Sequence, residues 1–169
     1  MTARATIRID TDPVVRGLAR LRELGRDLTP VMDEVGAMLV TSTQQRFETG
    51  TAPDGTPWPV SGRARRQSGQ TLVDDGRLRD SITHDPGADA VTVGTNVVYA
   101  AVHQFGATIT PESAQALAFP GPDGGTVFAQ KVEIPPRPFI GVSDADEVEI
   151  GNIVADHVRE AFGREAFGS

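Results

Sequence analysis

The chain has no cysteine among its 169 residues. That excludes disulfides, thiolate nucleophiles and cysteine-ligated zinc, and it leaves the redox compartment open. Lysine is almost missing too, since Lys131 stands alone among 16 basic residues. Aromatic residues make up only 5% of the chain, with a single tryptophan, Trp58, and a single tyrosine, Tyr99. No apolar run approaches the roughly 18 residues that a membrane span requires. The N-terminal Met1-Thr-Ala-Arg-Ala-Thr-Ile-Arg8 lacks the apolar core of a signal segment. A soluble protein with no export route is expected.

Negative charge is what the chain has in excess, and it is unevenly placed. The net charge is −7. Residues 1–80 carry 12 arginines against 11 acidic residues, whereas residues 81–169 carry 4 basic against 12 acidic residues. A nucleic-acid-binding module needs a basic footprint, so that class is disfavoured. Hydrophobic residues make up 38% of the chain, enough for one modest core. The 18 glycines and 12 prolines imply much loop and extended arm. One domain over 1–169 is expected, with 1–10 as an N-terminal strand or arm, 106–125 as a long loop and 163–169 as a frayed tail.

Thr6-Ile-Arg-Ile-Asp10 alternates and reads as a short strand. Asp12-Pro13 supplies a cap and an N-terminal proline for a helix over about 13–28, with Val14, Leu18, Leu21, Leu24 and Leu28 on one face. Thr29-Pro30 repeats that start for a second helix to about Glu48. Pro53-Asp-Gly-Thr-Pro-Trp58 contains a turn and holds Trp58 in a fixed presentation, as a lid on the core or as an exposed anchor. Arg63, Arg65 and Arg66 form a small basic loop, either simply solvated or touching phosphate. Leu72–Ile82 reads as a turn and one helical turn, with Leu78 and Ile82 facing inward.

Ala90–Thr95 and Val98–Val102 read as strands joined by a hairpin or bulge at Gly94–Asn96, and Thr126–Ile134 as a further strand. Ser143-Asp-Ala-Asp146 caps a final helix whose apolar face holds Val148, Ile153, Val154, Val158 and Phe162. The fold class is therefore α+β: a small antiparallel or mixed sheet flanked by two N-terminal helices and one C-terminal helix, with long loops and an extended proline-rich arm.

Chemistry is sparse. His84 lies in a Thr-His-Asp-Pro turn, His157 on the last helix, and His103 at the end of an apolar segment. Their spacing matches no metal motif, and there is neither a nucleophile elbow nor a phosphate loop. Asp74-Asp75 and Asp144-x-Asp146 suit turn and cap duty. No cofactor or metal is expected. His103 reads as a residue that fixes a corner through a hydrogen bond, with a catalytic role as the alternative.

The ordered series Phe47…Pro53-Asp-Gly-Thr-Pro-Trp58, Leu72…Gly76-Arg-Leu-Arg-Asp-Ser-Ile82, Val93-Gly-Thr95…Tyr99-Ala-Ala-Val-His-Gln-Phe-Gly106 and Ile134-Pro-Pro-Arg-Pro-Phe-Ile-Gly141 resembles the phage virion-morphogenesis family. That family comprises the tail-completion or neck proteins of tailed phages, including Mu-like prophages. The resemblance spans about residues 35–160, with Pro136 where the family more often has alanine.

The resemblance implies a non-enzymatic subunit of a ring of about six copies at the head–tail junction of a virion assembled in the host cytoplasm. Its partners would be its own copies, the tail tube protein and head-proximal connector or stopper proteins, with genome DNA passing through the lumen unbound. A head-closure protein nearer the portal is the neighbouring reading; a DNA-binding module or a hydrolase would belong to other classes. Candidate interface residues are Trp58, Tyr99, His103, Gln104, Phe105, Arg137 and Phe139. Arg137 is expected to be held outward between prolines toward a neighbouring subunit, with Phe139 filling a pocket there; packing of both on their own domain is the alternative. Acidic residues of the second half would line the lumen, or Arg63, Arg65 and Arg66 would face it.

Overall fold

In a computed structural model, residues 12–112, 115–121 and 125–162 are described. Helix α1 spans Asp12–Leu24 and α2 spans Thr29–Thr49. The short helices α3 (Gly62–Gln67) and α4 (Arg77–Asp80) follow, then strands β1 (Thr83–Pro86) and β2 (Val91–Gly94). Helix α5 is Ala100–Phe105. Strands β3 (Ala107–Ile109), β4 (Leu117–Pro120), β5 (Thr126–Ala129) and β6 (Val132–Ile134) lead to α6, Asp144–Phe162. The class is α+β, but the strands are divided among three antiparallel pairs, β1–β2, β3–β6 and β4–β5.

Helix α2 is the axis of the fold and serves two clusters. Near its start Val31 and Val35 pack with Ile153 of α6. Near its end Phe47 joins Trp58, Leu78, Ile82, Val97, Ala100 and Phe139. Strand β1 crosses α2 so closely that a Cβ on Gly36 would lie 2.4 Å from the His84 ring. The helix start differs from the Thr29 cap expected: the Asp27 carboxylate accepts the Thr29 N–H (2.9 Å), and Leu28 takes the cap position. Gly50 ends it in the left-handed region, φ 69°, with its N–H bonded to Arg46 O.

Several strand and loop expectations are overturned. Thr83–Pro86 is a strand, not a turn, because β2 folds back on it with Thr83 opposite Gly94. That removes the hairpin expected between Ala90–Thr95 and Val98–Val102. Val98 and Tyr99 lie in a turn, and Ala100–Phe105 is helical, so His103 ends no strand. The 106–125 segment is not all loop, since it holds β3 and β4. Thr126–Ile134 splits in two because β5 pairs with β4 and β6 with β3. Arg63, Arg65 and Arg66 belong to α3, which Ser61 caps by accepting the Ala64 N–H. The first helix ends at Leu24, four residues short of Leu28. The strand expected at 6–10 and the tail at 163–169 lie outside the described residues.

Candidate interaction surface

The corner at His103–Gly106 and the arm at Ile134–Gly141 fasten to each other within one subunit. The arm cannot form a full ladder, because Pro135, Pro136 and Pro138 have no N–H to give. Gln104 substitutes for a strand. Its side-chain oxygen accepts the N–H groups of Phe139 (2.9 Å) and Ile140 (3.1 Å), and its amide nitrogen donates to Ile140 O (2.9 Å). The Arg137 N–H donates to His103 O at 2.7 Å. Gly106 turns the chain out of α5 at φ 74°, where a Cβ would sit 2.8 Å from Ile134 O.

Beneath this clasp the aromatic residues stack. Phe139 is 1% exposed, with its ring centroid 5.2 Å from that of Phe47, and Phe47 meets Trp58 edge-on at 5.6 Å. The loop Ala52–Trp58 brings Trp58 back over the helix end, where its N–H donates to Gly50 O and its indole N–H to Pro138 O (2.9 Å). Trp58 is thus a lid on the core. The exposed-anchor alternative is excluded by its burial at 5%.

Arg46 is a structural residue the sequence reading missed. It is buried, donates to Phe139 O (3.0 Å) and Gly141 O (2.8 Å), and forms an ion pair with buried Asp146. Its signal was present: Arg46 continues the Val35–Leu39–Ser42 face of α2 at helical spacing, so it points inward. Burial pushes the Asp146 carboxyl up. Hydrogen bonds from Ser42 and from the Ser143 backbone and hydroxyl, with the charge of Arg46, outweigh that and hold it below the usual carboxylate range.

The interface candidates therefore divide. Arg137 is not held outward: it is 6% exposed and its Nε donates to Pro59 O at 2.7 Å. Phe139 likewise fills its own subunit's core and no neighbouring pocket. Gln104 is occupied by the arm. What remains at the surface is apolar: Phe105 at 77% exposure, Tyr99 at 39%, and two residues not anticipated, Val98 at 94% and Val60 at 56%. Adjoining clefts lie along this face. One of about 570 Å³ runs under Phe105, another of about 710 Å³ lies between Val60, Arg65 and Glu133, and a third of about 350 Å³ lies below Tyr99. His103 and Arg137 border both of the latter two.

His103 meets Tyr99 edge-on at 5.9 Å, and its buried Nδ1 has no hydrogen-bond partner among the described residues. The corner is fixed by its backbone carbonyl, not by the imidazole hydrogen bond expected. Burial, then the charge of Arg137, push its pKa down. Arg63 donates to Gln70 O and Val73 O (2.7 and 2.6 Å) and pairs with Asp74, so it holds a loop, while Arg65 and Arg66 are exposed. His84 pairs with Asp33 and His157 with Glu34, tying β1 and α6 to α2. Among the described residues no group of His, Asp or Glu could hold a metal ion, and no helix is long and apolar enough to cross a membrane.

Residues 9–159 match the phage virion morphogenesis family. The chain is 31% identical over 170 positions to the putative capsid assembly protein G of Escherichia phage Mu, covering 95% of this chain and 98% of that protein. It is 29% identical over 144 residues to the Mu-like prophage FluMu G protein 2 of Haemophilus influenzae, covering 85% and 88% respectively. No solved structure matches. All four sequence motifs converge on the core that these elements build, and the chain belongs to the phage virion morphogenesis family.

Proposed function

We propose that this chain is a non-enzymatic structural subunit that completes the phage tail and joins it to the head, working in a ring of about six copies at the head–tail junction. Family membership gives it a structural or assembly role in making a phage particle. The observation that carries the finer reading is the face formed by Val60, Val98, Tyr99 and Phe105. It leaves large apolar side chains in solvent beside clefts, on a subunit whose other aromatic motif residues are already used for packing. Large apolar side chains left in solvent beside clefts suit a protein contact. Tail tube and head-proximal connector proteins are the partners, and the net charge of −7 suits a wall past which DNA slides without sticking.

Placement one layer nearer the portal, as a head-closure protein, is the second reading. It draws on the name of the phage Mu relative, a putative capsid assembly protein. Native mass measurement and negative-stain imaging test both, using the purified chain alone, with tail tubes and with connectors. Rings, or caps on tube ends, are expected. Selective binding to connectors would favour the second reading, and a persistent monomer indifferent to both would refute the two together.

A further inference from the structure

We propose that the cleft over Arg137 is a carboxylate socket for a second copy of this chain, filled by the acidic start of that copy's α6. Two equally buried arginines make the contrast. Arg46 and Arg137 are each 6% exposed. Arg46 has Asp146, whereas Arg137 has only the carbonyls of Pro59 (2.7 Å) and Pro135 (3.5 Å) and, among the described residues, no carboxylate within ion-pair distance. A buried guanidinium without a counter-charge is costly, so a fold that keeps one beside an open cleft is arranged to receive an anion there. The unpartnered Nδ1 of His103 lies at the same place.

Local acids do not fill this role. Asp74 is taken by Arg63, Glu133 by Lys131, and Asp75 accepts the Arg77 N–H. At the rim, exposed Arg65 forms no ion pair among the described residues and adds a second positive charge.

The complement is on the same chain. In the first turn of α6, Asp144 and Glu147 are exposed and make no ion pair among the described residues. They lie between Val142, 49% exposed, and Val148, 66% exposed. Carboxylates among apolar side chains match guanidiniums ringed by Val60, Tyr99 and Phe105. The socket and the acidic turn have no residue in common, so each subunit can offer one to each of two neighbours, as the head-to-tail contacts of a ring require.

This inference rests on the ring reading, and the test separates the two. Sedimentation velocity would compare the parent chain, Arg65→Glu, Glu147→Arg and the double variant, alone and on tail tubes, with melting curves to show that all are folded. Each single reversal is expected to weaken self-association at least tenfold, and the double variant to regain most of it. Single variants that assemble like an oligomeric parent would overturn the socket and leave the ring standing. Losses without recovery in the double variant would overturn the pairing. A parent that never self-associates would remove both. If Arg65→Glu instead reduces retention on DNA with assembly unchanged, the cleft is a phosphate site and the proposal fails.

Discussion

Replacing Phe139 by alanine separates internal packing from subunit contact in the proline arm. The side chain is 1% exposed and tilted at 50° against Phe47, in a cluster that also holds Trp58 and Leu78. Truncating a buried phenylalanine costs roughly 3–5 kcal/mol, the upper part of that range applying where neighbours cannot collapse into the void. Here they cannot easily do so, because Gln104 and Arg46 fix the backbone on both sides of residue 139. For a domain of this size each kcal/mol moves the midpoint by about 2–4 °C, so a fall of about 6–20 °C is expected. Thermal and urea unfolding of Phe139→Ala, with Phe105→Ala as the surface counterpart, measures it. Phe105→Ala should stay within about 0.5 kcal/mol of the parent and lose joining of heads to tails. A Phe139→Ala chain that melts with the parent but fails to join particles would show that the arm is an interface and that the packing argument is wrong.

Asp146→Asn leaves Arg46 buried without a counter-charge and should cost about 3 kcal/mol at neutral pH, the low end for such pairs because an open cleft of about 540 Å³ adjoins them. The folded carboxyl lies below its unfolded value near 3.8, so its contribution is present above that value and is lost as pH falls through the folded one; the variant should show a shallower acid limb in urea titrations. His103 works in the opposite chemical sense with the same pH direction. Its folded pKa is depressed, so the unfolded chain binds the extra proton and stability falls as pH drops from the ordinary value of 6.5 toward the folded one. Arg137 and Tyr99 are the groups that face it, and His103→Gln should flatten that slope below the ordinary value of 6.5 relative to the parent.

The long helices were legible because Val31, Val35 and Leu39, and later Val154 and Val158, recur at helical spacing, and because Ser143 before an acidic turn is a cap in any context. Leu78 and Ile82 were placed inward for the same reason. What misled was the apolar run Val98–Val102, whose length fits a strand or a short helix equally, so tertiary contact decided it. Thr83–Pro86 was hidden by its turn-forming residues. Pro86 is tolerated at the end of a two-stranded edge, where the missing N–H costs little. The prolines beside Arg137 fix the backbone and say nothing of which way its side chain leaves it. In an extended segment residues two apart share a face, so a buried Phe139 carries Arg137 inward with it. The apolar rim at Val60 and Val98 had no periodic signal, since both residues lie between regular elements.

The bonds of Arg46 reach across 93, 95 and 100 residues of chain. During synthesis α2 emerges early, yet the groups that satisfy its arginine and cover Phe47 and Trp58 arrive only with the arm and the start of α6. Until then the aromatic cluster has no roof, and pairing over so long a loop is slow compared with local helix formation. Closure of the aromatic cluster therefore waits on segments some 93–100 residues beyond Arg46, and the helix that carries Arg46 and Phe47 is completed only by long-range pairing.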